Sequence, residues 1–140
     1  MLCQVSTETV AWKRLLALHN RVEHELARVV RRHGLGLTEF RALDALVNSA
    51  SGSLRIQELA GAIGLDQSSV SRLVARLERD ELSERDICED DRRGVYTAIT
   101  EHGRSRHAEA EPDYAAALKR ALDEVHGDPE LTPIVTALRG

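Results

Sequence analysis

The 140-residue sequence is poor in aromatic residues and contains no long apolar run. One Phe, one Trp and two Tyr stand against abundant Ala, Leu, Arg and Glu, a composition that favours a mostly helical protein. No stretch approaches the run of about 18 apolar residues that a membrane-spanning helix requires. The N-terminus also lacks the charged-then-apolar pattern of a secretory signal. The sequence therefore predicts a cytoplasmic protein with no membrane partner.

Cysteine and the common catalytic patterns are equally scarce. Cys3 and Cys88 are the only cysteines, and neither has a second cysteine at the C-x-x-C spacing of metal and redox sites. We interpret both as inert thiols that a reducing compartment keeps reduced. The sequence has no glycine-rich phosphate loop, no His-Glu-x-x-His and no meaningful Ser/His/Asp set. We therefore expect no enzyme, no cofactor and no bound metal.

The chain also lacks an excess of positive charge. Its net charge is −4, and residues 66–100 carry six arginines against nine acidic residues. Proteins that bind nucleic acid regardless of sequence depend on such an excess. Any binding of nucleic acid must therefore rest on a few well-placed arginines, with modest nonspecific affinity.

Residues 57–80 have the pattern of a helix-turn-helix. A short helix is predicted from Ile56 to Ile63, and Gly64 can end it in the left-handed conformation that glycine adopts without strain. Asp66 is suited to cap a second helix by accepting hydrogen bonds from its free backbone N–H groups. Apolar residues spaced three and four apart predict the buried face of that helix, namely Val70, Leu73, Val74 and Leu77.

The opposite face of the second helix carries small polar side chains and arginines. Gln and Arg can bind base edges through two hydrogen bonds, and Ser can reach bases or phosphates. The alternative is an ordinary solvated basic face, but the preceding helix, the glycine turn and the following hairpin favour DNA. The residues predicted to read the major groove are Gln67, Ser68, Ser69, Ser71, Arg72 and Arg76.

A charged hairpin follows the second helix. Residues 84–89 and 95–99 have strand composition and flank a polar turn that ends at Gly94. Such a wing can insert Arg92 and Arg93 into a narrow minor groove, where negative potential is concentrated. Asp91 can hold the Arg93 guanidinium in place by a bidentate pair, although both residues could instead simply close the turn.

These motifs together resemble the MarR family of transcriptional regulators, and the resemblance extends from about residue 8 to residue 125. It is carried by residues 37–43, 69–78, 91–94 and 99–103, of which the Asp-x-Arg wing signature at 91–93 is the most specific. Glu-Leu-Ser at residues 81–83 departs from the family's Gly-Leu-Val. We therefore expect the second helix to end less sharply, and one core contact of the first wing strand comes into question.

The flanking segments are predicted to form a dimerisation frame around a winged core at residues 37–100, all within a single domain 1–140. The frame comprises residues 7–33 and 101–140. We expect Thr100 to cap a long helix, Pro112 to kink or break it, and a last short helix to begin at Thr132. The resemblance implies that these helices form a two-fold interface. The predicted seam of the first helix is Trp12, Leu15, His19, Val22, Leu26 and Val29.

The resemblance also implies a small aromatic or anionic effector between the dimerisation helices and the winged core. The matching residues are Trp12, His19, Phe40 and Arg41, although these could instead only pack the junction. His102 and His107 correspond to a region where some resembling proteins bind zinc. Their spacing of five does not place two ligands on one helix face, so we interpret both as solvated side chains.

The fold class predicted is mainly α-helical, a winged helix-turn-helix with a small β-hairpin wing and terminal dimerisation helices. The predicted function is sequence-specific regulation of transcription, with repression the favoured mode. The partners are double-stranded DNA bearing a pseudo-palindromic operator and a second copy of the chain. The alternative is a winged helix used only for protein–protein contact. That reading requires an apolar exposed face on the second helix, whereas the face predicted here is polar.

Overall fold

The computed structural model describes residues 6–87 and 94–140. Contacts within the chain divide it into two compact units, Met1–Val29 with Asp113–Gly140, and Val30–Pro112. No helix formed by the described residues is both long and apolar enough to cross a membrane. In chain order the elements are α1 (Thr7–Arg31), α2 (Leu37–Val47), β1 (Ser53–Arg55), α3 (Ile56–Ile63), α4 (Gln67–Arg79), β2 (Ser83–Ile87), β3 (Val95–Ile99), α5 (Glu101–His126) and α6 (Thr132–Arg139).

The unit Val30–Pro112 contains the predicted helix-turn-helix, and its turn forms as the sequence indicates. Helix α3 has the predicted bounds, and Gly64 ends it with a φ of 71°. The Leu65 N–H then donates to the Ala60 carbonyl at 3.0 Å, which satisfies one of the last carbonyls of α3. The apolar stripe of α4 is buried as predicted, with Val70, Leu73, Val74 and Leu77 each at most 1% exposed.

The hairpin is part of a three-stranded antiparallel sheet in the order β1-β3-β2. The sequence predicted the return strand β3 correctly and placed the start of β2 one residue late. It missed β1, because three residues with one apolar side chain carry no strand pattern of their own. Strand β1 pairs with β3 so that Arg55 lies opposite Tyr96.

The end of α4 corrects one expectation from the sequence. The helix ends sharply, because the Leu82 N–H donates to the Leu77 carbonyl at 2.9 Å and the Glu81 N–H donates to the Glu78 carbonyl at 3.0 Å. These two bonds are the Schellman arrangement, which places the residue after the cap in the left-handed region. Glu81 adopts a φ of 60° there, the only positive φ of a non-glycine residue in the described part of the chain.

The strand that follows also shows the effect of the unusual tripeptide. Leu82 is buried, and so is Ser83, whose hydroxyl finds no hydrogen-bond partner among the described residues. The buried hydroxyl of Thr97 on β3 is in the same situation. A buried unpaired hydroxyl costs free energy that an apolar side chain would not. Ser83 therefore places a polar side chain at a buried position, and this is the core contact of the first wing strand that the departure from Gly-Leu-Val brought into question.

Thr100 caps α5 as predicted and also ties the helix to the end of α4. Its Oγ1 accepts a hydrogen bond from the Gly103 N–H at 2.9 Å and donates to the Glu81 carbonyl at 2.7 Å. A Cβ on Gly103 would collide with the Leu82 carbonyl oxygen, so glycine permits this close approach. Helix α5 then runs through Pro112, so of the predicted kink or break the break is wrong, and the kink stays a prediction. Pro112 and Ala108, whose carbonyl loses its partner, are both exposed, so water can satisfy that carbonyl.

The other unit has a small apolar core of its own. Leu18, Val125, Leu131 and Val135 form it, and Val22, Leu122 and Ile134 pack against it. Helix α6 begins at the predicted Thr132, whose Oγ1 donates to the His126 carbonyl at 2.8 Å. Only part of the predicted seam of α1 is buried. Leu26 and Val29 are buried, whereas Trp12 is 59% exposed and Leu15 39%.

Replacing Glu81 with glycine is expected to stabilise the protein. The left-handed region costs an L-residue about 1 kcal/mol that glycine avoids. We therefore expect Glu81→Gly to raise the free energy of unfolding by up to about 1 kcal/mol, measured by urea denaturation.

Gly64→Ala is the matched control, because an added Cβ at Gly64 meets no atom within 4 Å and its φ is also positive. It should lower the free energy of unfolding by a similar amount. A Glu81→Gly variant that is less stable than the wild type would contradict this account of the helix end.

Candidate nucleic-acid interface

The first turn of α4 is fixed by the side chain of Asp66. Its Oδ1 accepts hydrogen bonds from the Ser69 backbone N–H at 2.8 Å and from the Ser68 hydroxyl at 3.1 Å. The bond from the Ser69 N–H is the main reason that the pKa of Asp66 lies below its ordinary value, and bonds from the Ser69 and Ser68 side chains add to it. The cap predicted from the sequence is confirmed.

The predicted readers of the major groove lie on the side of α4 opposite its buried stripe. Gln67, Ser68, Ser71 and Arg72 are exposed, and Ser69 is half-buried. The Ser71 hydroxyl donates to the Gln67 carbonyl at 2.9 Å, so it stays close to the helix surface. Short side chains at the start of a helix allow its backbone to approach a groove closely, with longer side chains reaching past them.

Arg76 differs from the other predicted readers because it is half-buried. Its Nε lies 3.9 Å from Glu39 Oε1 on α2, a contact that the sequence reasoning missed. Residues 37 apart in the sequence carry no local signal of such a pair. Arg72 is more open, with one terminal nitrogen 3.5 Å from the Ser69 hydroxyl oxygen. Of these two arginines, Arg72 is therefore the better placed to contact a ligand directly.

A groove of about 230 Å³ adjoins the start of α4. Two predicted readers, Gln67 and Ser71, line this space together with Arg55 and Gln57, two polar residues that the sequence reasoning missed. These additional residues come from the end of β1 and the beginning of α3. The full lining is Arg55, Ile56, Gln57, Gln67, Ser71, Gly94 and Val95.

Arg55 is held at the groove by Tyr96. Its Nε donates a hydrogen bond to the Tyr96 hydroxyl at 3.0 Å, and its guanidinium carbon lies 5.4 Å from the centre of the Tyr96 ring. Glu58 is also close, with Oε1 4.0 Å from the same Nε and accepting a hydrogen bond from the Arg55 backbone N–H at 3.3 Å. The cross-strand pairing of β1 with β3 brings Arg55 and Tyr96 together, and Glu58 lies in the first turn of α3, three residues after Arg55.

Several predicted residues cannot be placed. Asp91, Arg92 and Arg93 of the wing turn lie outside the described residues, as do Cys3 and Cys88. The minor-groove contacts therefore stay a prediction.

The four residues predicted for an effector site fall in different compact units. Trp12 and His19 are exposed on α1, and His19 Nε2 lies 3.8 Å from Glu23 Oε1. Phe40 is buried in the winged unit, and Arg41 is half-buried. The site that these residues were predicted to form stays a prediction.

The interpretation of His107 as a solvated residue is wrong. Its side chain is buried, its Nε2 lies 2.8 Å from Asp44 Oδ1, and its ring stacks on Phe40 with centres 5.2 Å apart. The contact joins α5 to α2 over 63 positions, so helix spacing alone could not reveal it. His102 is exposed as expected. Within residues 6–87 and 94–140, no three His, Cys, Asp or Glu side chains are grouped closely enough to hold a metal ion.

Comparisons with known proteins agree with this geometry. Residues 35–95 match the model of the MarR family. The chain is 30% identical over 101 residues to the HTH-type transcriptional regulator MhqR of Bacillus subtilis, covering 72% of this chain and 68% of MhqR.

Solved structures show the same fold. AbsC, a MarR family transcriptional regulator from Streptomyces coelicolor, superposes with a TM-score of 0.79 at 29% identity, covering 100% of this chain and 99% of AbsC. Sco3205, a MarR family regulator from the same organism solved in complex with DNA, has a TM-score of 0.81 at 24% identity, covering 99% of this chain and 88% of Sco3205.

The Asp66 cap should make the stability of the protein fall in acid. The pKa of Asp66 is lowered from 3.8 on folding. Its contribution is therefore complete above the unfolded-state pKa and is lost as the pH falls through the folded-state pKa. Asp66→Asn keeps a capping oxygen but cannot titrate.

Urea unfolding of both proteins from neutral pH to about pH 2.5 tests this expectation. The wild type should lose more stability than Asp66→Asn below about pH 4 and match its trend above that pH. Parallel stability curves across the whole range would show that the cap does not depend on the Asp66 charge.

Proposed function

Because this chain belongs to the MarR family of transcriptional regulators, we propose that it binds a specific DNA operator as a homodimer. Helix α4 enters the major groove and reads base edges, and the wing reaches the neighbouring minor groove. Two copies place two such helices on a pseudo-palindromic site, which in the favoured mode blocks transcription.

The exposed start of α4 is the observation that carries this proposal. Asp66 holds the first turn, the buried stripe fixes the rotation of the helix, and Gln67, Ser68 and Arg72 remain exposed. Gln and Arg are the side chains best suited to bidentate contacts with adenine and guanine. A winged helix serving only protein–protein contact needs an apolar surface here, and this surface is polar.

The charge of the chain determines what kind of DNA binding is expected. Residues 66–100 are acidic overall, and Glu39 draws Arg76 towards α2. Few phosphates can therefore be neutralised, so affinity for random DNA should be modest and its salt dependence shallow. Specificity then rests on a small number of base contacts, with Arg72 the foremost among them. Arg92 and Arg93, oriented by Asp91, are the proposed minor-groove contacts.

The homodimer is supported by exposed apolar side chains in the unit formed by the chain termini. Large apolar residues that a monomer would normally bury remain open to solvent on α1 and α6. A second copy of the chain is the proposed cover for these surfaces. The residues are Val10, Trp12, Leu15, Leu16 and Leu138.

A small aromatic or anionic effector completes the proposal. Such a ligand can release DNA only if it binds more tightly to a conformation in which the two copies of α4 no longer fit the operator. The exposed Trp12 is the only tryptophan, so its fluorescence gives a direct readout when aromatic acids are titrated into the protein.

Arg72→Ala should relax sequence specificity. An operator is first selected from random DNA with the purified wild-type protein, and Kd is then measured for the selected site and for random DNA. Loss of one base contact is expected to cost about 1–3 kcal/mol, which is roughly 5- to 150-fold in Kd. Because the homodimer loses this contact in both protomers, the Kd for the selected site should rise by roughly 30-fold or more. The Kd for random DNA should change much less.

Arg120→Ala is the matched control, since it removes the same charge from an exposed position in the other compact unit. It should leave the ratio of the two Kd values unchanged. If Arg72→Ala and the wild type discriminate equally between selected and random DNA, α4 does not read bases through Arg72.

A further inference from the structure

We infer that the groove beside α4 binds a phosphate of the DNA backbone through Arg55, and that Tyr96 is the residue that positions Arg55 for this contact. The inference rests on the proposed function, and it adds a site outside α4 and the wing turn. It also gives a role to a pair of residues that sequence patterns did not identify.

The first argument is the way in which the Arg55 guanidinium is held. Arg55 ends β1 directly opposite Tyr96 of β3, so the sheet register places the two side chains next to each other. The hydrogen bond from Nε to the Tyr96 hydroxyl at 3.0 Å and the approach to the ring at 5.4 Å restrict the orientation of the guanidinium plane. A planar fork held in advance loses less entropy when it binds a phosphate than a freely moving side chain does.

The second argument is the position of this guanidinium relative to α4. Arg55 lines the same groove as Gln67 and Ser71, which are exposed residues of the first turns of α4. Phosphates border the major groove, so a helix whose first turns face base edges brings backbone phosphates alongside them. Gln57 contributes an amide to the same lining, beside the apolar Ile56 and Val95.

The third argument concerns the acidic residue next to Arg55. Glu58 Oε1 lies 4.0 Å from Arg55 Nε, and both side chains are about half exposed, at 55% and 44%. An exposed ion pair at this distance contributes at most about 1 kcal/mol, whereas a phosphate offers a charge-assisted and bidentate partner. A DNA phosphate can therefore compete successfully with Glu58 for Arg55.

A purely structural role for Arg55 would have different consequences. If Arg55 only braced β1 against β3, its removal would lower stability and leave the DNA affinity of the folded protein unchanged. A role in reading bases would alter the preference among sequences. Loss of a phosphate contact instead weakens binding to all sequences alike and reduces the salt dependence.

The test measures Kd for the selected operator and for random DNA at several salt concentrations. Arg55→Ala should weaken binding to both DNAs by a similar factor, about tenfold for each protomer, and should reduce the slope of log Kd against log salt by about one for each protomer. Arg55→Lys keeps the charge but not the planar fork, so it should keep the wild-type slope with a weaker affinity. Tyr96→Phe removes only the hydroxyl, so it should weaken binding to both DNAs, but by a smaller factor than Arg55→Ala does.

Glu58→Gln and Arg120→Ala are the controls. Glu58→Gln keeps an oxygen near the Arg55 backbone nitrogen but removes the competing charge, so it should tighten binding to both DNAs. Arg120→Ala should leave the salt slope unchanged. Circular dichroism at the assay temperature identifies any variant that has lost its fold, and Arg55→Lys carries the test if Arg55→Ala is one of them.

Two results would overturn the inference. One is an Arg55→Ala variant that is folded and binds both DNAs with the wild-type affinity and salt slope. The other is a loss confined to the selected operator, which would make Arg55 a base reader. A wild-type protein that binds no DNA would instead overturn the proposed function, and this inference with it.

Discussion

Burial of the apolar stripe on α4 is the interaction on which the winged unit depends. Val70, Leu73, Val74 and Leu77 are almost completely removed from solvent, and each such side chain contributes about 1.5–3 kcal/mol. Rotation of α4 about its axis would expose them and bury Gln67 and Arg72 in their place. The direction in which α4 presents its polar face is therefore set by the core. The Asp66 cap and the left-handed turns at Gly64 and Glu81 determine where that face begins and ends.

Acidic residues next to the arginines near α4 determine how strongly this acidic protein is expected to bind DNA. Glu39 and Glu58 each lie within about 4 Å of an arginine near α4, so they moderate the positive charge without removing it. The exposed Arg55–Glu58 pair can exchange its carboxylate for a phosphate at small cost. The expected outcome is low affinity for DNA in general and a strong dependence on a few contacts. In the proposed complex, Arg72 reads bases and Arg55 contacts a phosphate of the DNA backbone.

Local patterns in the sequence predicted the features that depend on neighbouring residues. The bounds of α3, the left-handed Gly64, the Asp66 cap and the stripe of α4 all follow from spacings of four residues or fewer. The pairs Arg55–Tyr96 and Asp44–His107 connect residues 41 and 63 positions apart, so no periodicity could indicate them. At Glu81, a prediction from local propensity fails for a different reason. Contacts around Leu82 and Thr100 hold this residue in a left-handed conformation that its own propensity disfavours.

In the proposed complex, two copies of α4 occupy successive major grooves of one operator. Protection of guanine N7 from methylation on the selected operator tests this most directly, because N7 is exposed only in the major groove. This arrangement predicts two protected clusters on one face of the DNA, about one helical turn or roughly 34–36 Å apart, with two chains bound per site. Unprotected guanines throughout a fully bound operator, or a single cluster with one bound chain, would contradict it.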